Sequence, residues 1–169
     1  MEGKYEQIKL TLVPDKAEYH LAEVLHGGVS DKGWVKKKEL EVSGIIINAI
    51  FENTGNQDVT ICNRWQLHGC GNSNSSTTIE YIVDRDGERL TLPRMCILYK
   101  FLRQRDFVVI KPGMNITQDI GGRISEYFLQ KPGIYDISIR LHSQLIGEFR
   151  YIKLWTGVVD SNKITITVT

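Results

Sequence analysis

The sequence lacks the features that mark a large charged ligand or a membrane span. Its 21 Lys and Arg residues nearly balance its 20 Asp and Glu residues, which leaves a formal net charge of +1. Such a balance produces no broad field that would attract nucleic acid or an anionic membrane. The longest apolar runs, such as residues 45–47, are too short to span a bilayer. We therefore expect no nucleic-acid partner and no membrane insertion.

The sequence also has no apolar segment of the secretory type at its amino terminus and few cysteines. Residues 1–5 do not resemble a signal peptide, which favours a cytoplasmic protein; a trimmed export signal is the alternative. The three cysteines are Cys62, Cys70 and Cys96, and an odd number argues against a complete disulfide framework. We interpret them as reduced thiols, two of them packed as small hydrophobes. A Cys62–Cys70 bridge is the alternative for an exported protein.

Motifs of the common hydrolases are absent. No His-Glu-x-x-His segment occurs, and residues 71–75 lack the last glycine of a serine nucleophile elbow. Cys62, His68, Cys70 and Cys96 could converge on a metal, but their spacing differs from that of the common sites. We therefore expect no catalytic residue, no metal and no cofactor. A small metal- or thiol-dependent protein that uses these four residues is kept as an alternative.

What the sequence has in abundance is alternation of apolar and polar residues. Apolar residues occupy alternate positions in 135–141, and isoleucine or valine alternates with threonine in 164–169. A period of two residues predicts strands with one buried face, and threonine suits the solvent-facing side. Turn signals recur roughly every ten residues along the chain, which predicts about 8–10 short strands.

Several connections between these strands are predicted from turn chemistry. Asp86-Gly87 predicts a two-residue hairpin. The segment 59–62 is expected to pair back on 43–51 across an Asn-Thr-Gly turn. The segments around Lys111-Pro112-Gly113 are expected to form another hairpin, with 107–110 paired to 115–120. Residues 18–25 fit a strand or a short helix, and residues 123–130 fit a short helical turn.

One segment resembles a known structural motif. Lys131-Pro132-Gly133-Ile134-Tyr135 precedes a predicted strand, as in the tyrosine corner of immunoglobulin-like sandwiches, where a tyrosine hydroxyl ties the preceding corner. Ile137 stands where a true immunoglobulin domain has cysteine. With the turns at 53–55, 111–113 and 155–157, the pattern over residues 43–169 is similar to bacterial immunoglobulin-like β-sandwich domains.

This resemblance implies an all-β, immunoglobulin-like antiparallel β-sandwich. The length of 169 residues favours a single domain over residues 1–169, with residues 1–42 as a candidate amino-terminal extension packed on it. Sandwich folds host unrelated activities, so the resemblance says little about function.

The function predicted from the sequence is a non-enzymatic protein-binding module. Loops on a rigid scaffold are where recognition residues usually lie, and the two long connections, 26–38 and 64–76, are the predicted binding loops. Trp34 lies in the first, while Trp65 and His68 lie in the second, so these three residues are the predicted binding residues. The expected partner is another protein, and the sequence does not determine the oligomeric state.

Two further interpretations concern the third tryptophan and the type of partner. Trp155 lies in a strand-and-turn pattern and is predicted to belong to the core. An intracellular proteinase-inhibitor-like protein is an alternative function. A bacterial family of such inhibitors looks similar, because it has a small sandwich with Asn-x-Gly and Pro-Gly turns.

Overall fold

The computed structural model describes residues 7–25, 44–62, 66–67, 77–91, 106–143 and 154–169. This part of the chain consists mainly of strands, in agreement with the predicted all-β class. The strands are β1 (Ile8–Pro14), β2 (Glu18–Tyr19), β3 (Ile47–Asn53), β4 (Val59–Cys62), β5 (Gln66–Leu67), β6 (Thr77–Arg85), β7 (Glu88–Arg89), β8 (Phe107–Ile110), β9 (Asn115–Asp119), β10 (Gly133–Ser143), β11 (Gly157–Asp160) and β12 (Ile164–Val168). The helices are α1 (Leu21–Leu25) and α2 (Gly121–Tyr127). No helix of these described ranges is long and apolar enough to cross a membrane.

The strands form two larger sheets and one strand pair. The first sheet is antiparallel and has the order β1–β3–β9. The second has the order β2–β12–β10–β6–β5, with β11 also paired to β10 and β7 to β6. The remaining pair is β4–β8. Alternate residues of the two larger sheets point into one hydrophobic core, as expected from the period of two residues in these strands. The core residues of their longest strands are Ile8, Leu10, Leu12, Ile47, Ala49, Phe51, Ile79, Tyr81, Val83, Tyr135, Ile137, Ile139 and Leu141.

Local turn chemistry predicted the hairpin at the end of β6 correctly. Asp86 and Gly87 have φ angles of 51° and 85°, the left-handed conformation that a two-residue hairpin turn requires at both positions. They join β6 to β7, with Asp84 opposite Arg89. At the start of β10 the hydroxyl of the buried Tyr135 donates a hydrogen bond of 2.7 Å to the carbonyl oxygen of Lys131.

The two predictions that paired 59–62 with 43–51 and 107–110 with 115–120 are wrong. β4 and β8 pair with each other, while β3 pairs with β9. The side chain of Asn53 is the physical reason: its Nδ2 donates to the carbonyl oxygens of Gln57 at 2.7 Å and Ile110 at 2.8 Å. These bonds hold the ends of both turns against β3, so the first turn carries the chain from β3 into the β4–β8 pair and the second carries it from that pair into β9.

Strands β11 and β12 run in the same direction along β10 and are separated by a bulge. Ile137 pairs with Ile164 and Arg140 with Asp160, so two residues of β10 face the three residues 161–163. An extra residue of this kind bends a strand and redirects a side chain. Here it aims Asn162 at β1 of the other sheet.

Asn162 connects the two larger sheets at this bulge. Its Oδ1 accepts from the Leu12 amide at 2.6 Å and its Nδ2 donates to the Leu12 carbonyl at 3.1 Å. Ser161 bridges to Leu10 of the same strand. The outer edge of β1 is therefore occupied by the bulge, which joins the two sheets along one side.

Asn162→Ala removes both bonds to Leu12 and leaves a backbone amide and carbonyl without partners. We expect a loss of about 2 kcal/mol in the free energy of unfolding, measured by urea denaturation. The neighbouring change Lys163→Ala removes only an exposed ion pair with Asp136, and its expected cost is about 0.5 kcal/mol. Equal costs for the two variants would contradict this assignment of Asn162.

The two ends of β10 mark two ends of the molecule: the helical end, where both helices lie, and the opposite end. At one end Gly133 of β10 lies opposite Val168, and the two helices meet where the Ser125 hydroxyl donates to the Val24 carbonyl at 2.8 Å. At the other end Ser143 lies opposite Thr77. The 11 residues of β10 separate these ends by roughly 33 Å at the usual rise per residue.

Candidate interaction surface

The three binding residues predicted from the sequence, Trp34, Trp65 and His68, lie outside the described residues. The described neighbours of the two predicted loops lie at opposite ends of the molecule. Leu25 ends α1 at the helical end, whereas Thr77 lies opposite Ser143 at the other end. The chain therefore enters the first predicted loop at the helical end and leaves the second at the other end. Gln66 and Leu67, within the predicted 64–76 loop, instead form strand β5 and pair with Thr78 and Ile79 of β6.

Of the four residues in the cysteine-based alternative, the structure describes one. Cys62 is the last residue of β4 and is completely buried, as expected for a cysteine packed as a small hydrophobe. Cys70 and Cys96 lie outside the described ranges. Within those ranges no group of three or more His, Cys, Asp or Glu side chains could hold a metal ion. Trp155 is buried with 6% of its surface exposed, so its prediction as a core residue is confirmed.

The outer face of the second sheet is rich in paired charges. Arg140 forms two hydrogen bonds with Asp160, at 2.6 and 3.0 Å. Asp136 accepts from Thr165 at 2.6 Å and from Lys163 at 3.1 Å. Arg89 pairs in the same way with the Asp84 carboxylate. These charges are neutralised by partners from the same sheet.

The titration of this face follows from those contacts. Hydrogen bonds from Thr165 and then Lys163 lower the pKa of Asp136 below its ordinary value. The Arg140 guanidinium likewise lowers the pKa of Asp160. Both carboxylates are therefore ionised and satisfied at neutral pH. The exposed apolar residues of this face are Ile134, at the start of β10, and Val158, which lies opposite His142 near the end of β10, so they form no common patch.

The outer face of the first sheet has a different chemistry. Its three rows of side chains follow from the strand registers, and its central row consists of β-branched residues without charge. The only ion pair of this face among the described residues is Lys9–Glu52, with 3.9 Å between nitrogen and oxygen. We call these nine residues the β1–β3–β9 face. Its rows are Lys9, Glu52 and Asn115; Thr11, Ile50 and Thr117; and Val13, Asn48 and Asp119.

The β1–β3–β9 face is accessible to solvent. Val13 is 43% exposed, and Lys9 and Thr117 are also exposed, while the central Ile50 is half-buried by its neighbours. An exposed surface centred on uncharged β-branched side chains is a more favourable place for a protein partner than a surface of satisfied ion pairs. The face is therefore our candidate interaction surface.

Sequence analysis missed this face. The alternation in 8–13 and 115–119 indicates that each strand has a solvent-facing side, but no local signal shows that both strands flank β3. Because 59–62 was predicted as the partner of 43–51, the three rows could not be assembled from the sequence. The strand registers are what bring Thr11, Ile50 and Thr117 together.

Comparison with known proteins assigns this chain to no family. No protein-family model and no curated protein matches this sequence. The function must therefore be argued from the geometry of the chain itself.

Proposed function

We propose that the protein is a non-enzymatic protein-binding module built on an immunoglobulin-like β-sandwich. The strand orders support the fold. β1–β3–β9 and β12–β10–β6 correspond to strands A–B–E and G–F–C of the immunoglobulin arrangement. The hydrogen bond from Tyr135 to Lys131 has the geometry of the tyrosine corner.

The observation that carries the function is the contrast between the two outer faces. The second sheet satisfies its charges internally through Arg140–Asp160, Lys163–Asp136 and Arg89–Asp84. The β1–β3–β9 face instead presents threonine, valine, isoleucine and amide side chains around Ile50, and its three charged residues, Lys9, Glu52 and Asp119, lie in the two outer rows. We infer that its partner is a protein surface with apolar and uncharged polar side chains, since such a surface loses little solvation energy on contact.

The size of the face limits what it binds. Three strands at the usual spacing, each about five residues long, cover roughly 14 by 17 Å. Stable protein interfaces bury about 800 Å² on each partner, which is several times this area. A partner must therefore also contact the surface beside the face, and the predicted loops with Trp34, Trp65 and His68 remain predicted binding sites.

The test is a charge introduced at the centre of the face. In Ile50→Lys, the lysine stands between Thr11 and Thr117 and must be desolvated by any partner that covers the face. We expect capture of the partner from a lysate of the source organism to fall at least about tenfold, because burying an unpaired charge is costly. Ile82→Lys is the matched control, since Ile82 is also a half-buried isoleucine on the outer face of an inner strand.

Circular dichroism establishes that both variants are folded before capture is compared. A partner that binds Ile82→Lys as it binds the wild type, but not Ile50→Lys, supports the proposal. Equal binding of the two variants would contradict it, and so would loss of binding in Ile82→Lys alone.

A further inference from the structure

Within the described part of the chain, the first sheet has one occupied edge and one edge without a paired strand, which we call the open edge. The outer edge of β1 is bonded to Asn162 and Ser161. On the opposite edge, β9 pairs with β3 alone among the described residues. An edge strand of this kind presents unpaired backbone groups to any strand that approaches it.

The residues whose backbone groups face the open edge follow from the hydrogen-bond pattern. The Asn53 amide bonds to the Met114 carbonyl at 3.0 Å, and the Ile120 amide bonds to the Ile47 carbonyl at 2.9 Å. Even-numbered residues of the β9 segment therefore bond to β3, because backbone groups alternate in direction along an antiparallel strand. The amides and carbonyls of Asn115, Thr117 and Asp119 point away from β3.

The sequence of β9 has little of the protection usual at an edge. Edge strands are commonly protected by lysine, proline, a bulge or short length. β9 has five residues, Asn115-Ile116-Thr117-Gln118-Asp119, without lysine or proline, and its register with β3 is regular over all five. Its one charge, Asp119, lies at the end of the strand.

We propose that β9 pairs with β9 of a second copy of this chain, in antiparallel orientation and with Thr117 on the two-fold axis. The result is a continuous sheet of six strands in the order β1–β3–β9–β9–β3–β1. This register places each Asp119 opposite Asn115 of the other copy. The side chains of Asn115, Thr117 and Asp119 lie on the same face of the sheet. The Oδ1 of Asp119 already accepts from the Gly121 and Ile47 amides, so its Oδ2 is the oxygen that meets the Asn115 amide of the other copy, and no like charges meet.

The side chains at the two ends of β9 complement each other in an antiparallel pair, which favours a second copy of this chain as the partner of the open edge. The symmetric pairing gives every outward amide and carbonyl of the three residues a partner, which is six hydrogen bonds for the dimer. Threonine opposite threonine is a favourable cross-strand pair. The pairing leaves the β1–β3–β9 face accessible. It also about doubles the area of this face, which in one copy is smaller than a stable protein interface. The dimer itself does not depend on the proposed binding function.

The first test is the oligomeric state of the full chain, measured by sedimentation equilibrium from micromolar to millimolar concentration. We expect a concentration-dependent dimer for the wild type. Thr117→Pro removes an amide that faces the open edge without removing a bond to β3, so the dimer dissociation constant is expected to rise at least about tenfold. Thr117→Val retains the amide and the β-branched shape, and it is expected to dimerise like the wild type.

The second test reports the register and does not depend on proline being tolerated. Asn115→Lys places a cation opposite Asp119 of the other copy, and Asn115→Asp places a second carboxylate there. Each change acts twice in a symmetric dimer, so we expect the first to tighten dimerisation about fivefold and the second to weaken it about fivefold. Both shifts are expected to shrink with added salt.

A wild type that is monomeric at millimolar concentration would overturn the proposal. Shifts in the same direction for Asn115→Lys and Asn115→Asp would overturn it too, and so would unchanged dimerisation in a folded Thr117→Pro variant. Ile50→Lys distinguishes this proposal from the binding function: it is expected to leave the dimer intact while reducing partner capture.

Discussion

Gly121→Ala is expected to destabilise the protein by about 3 kcal/mol, because a methyl group at this position has no space. Gly121 begins α2 and packs directly on the start of β3. A Cβ atom built there would lie 2.7 Å from the carbonyl carbon of Ile45 and 2.8 Å from the amide nitrogen of Ile47, and it would overlap the Ile45 carbonyl oxygen. These are backbone atoms, so no side-chain rotation relieves the overlap, and α2 must move away from the first sheet.

Differential scanning calorimetry measures this effect, with a decrease of about 10 °C in Tm expected for a chain of this size. Gly122→Ala is the matched control, because it lies in the same helical turn and has no atom within 4 Å of the added Cβ. Alanine favours a helix over glycine, so this control is expected to gain about 0.5 kcal/mol. A Gly121→Ala protein as stable as Gly122→Ala would contradict the close contact between α2 and β3.

Asn53→Asp is expected to destabilise the protein by about 4 kcal/mol at neutral pH, since it buries a carboxylate that faces two carbonyl oxygens. Asn53 is completely buried. Its Nδ2 donates to Gln57 and Ile110, and its Oδ1 accepts from the Gly55 amide at 3.0 Å. The substitution retains the acceptor, replaces the donor by an anion, and so loses the two bonds that direct both turns.

The pH dependence of this variant has a definite sign. Burial beside carbonyl oxygens raises the pKa of the introduced carboxyl above its value in the unfolded chain, which is about 4. The folded protein then binds the proton more tightly, so the deficit relative to the wild type is smallest below about pH 4 and grows as pH rises through the folded pKa. Urea denaturation across this range measures the difference.

Asn56→Asp is the control for that substitution, because Asn56 is an exposed asparagine of the same turn. Its expected change in stability is within about 0.5 kcal/mol and nearly independent of pH. An Asn53→Asp variant that matched this control would show that Asn53 does not connect β3 to the β4–β8 pair.

The parts of the fold that sequence analysis predicted are those that local chemistry determines. The alternation in 135–141 indicates a strand with one buried face, and β10 has it. Asp86-Gly87 tolerates the left-handed backbone of a tight hairpin, and that hairpin is present. The short helical turn expected in 123–130 corresponds to α2. Each of these features depends on residues that are close together in the chain.

Strand pairing could not be predicted in the same way. Asn53-Thr54-Gly55 and Lys111-Pro112-Gly113 have the composition of hairpin turns, yet both connect strands of different sheets. The difference lies in the Asn53 side chain, which contacts Ile110 across 57 positions of sequence. The same is true of Asn162, which meets Leu12 across 150 positions. A single sequence contains no periodicity that reports such contacts.

The candidate surface depends on those strand pairings, so it could not be predicted from the sequence either. Thr11, Ile50 and Thr117 belong to three separate segments. None of them is one of the large aromatic or charged residues that are enriched at binding hot spots. They become a surface only because β1 and β9 both pair with β3. Trp34, Trp65 and His68 are predicted to bind a partner because tryptophan is enriched at binding hot spots and long loops often carry binding residues, and they remain predictions.

The proposed contact between the β1–β3–β9 face and a partner protein can be followed at individual side chains. Hydroxyl-radical footprinting of the protein, alone and bound to the partner that it captures, measures how much each side chain is protected. We expect oxidation of Val13 and Ile50 to fall on binding, while Ile82 and Ile134 on the other sheet keep their rates. Protection of Ile82 and Ile134, or protection confined to the segments of Trp34, Trp65 and His68 with none at Ile50, would contradict the proposed contact.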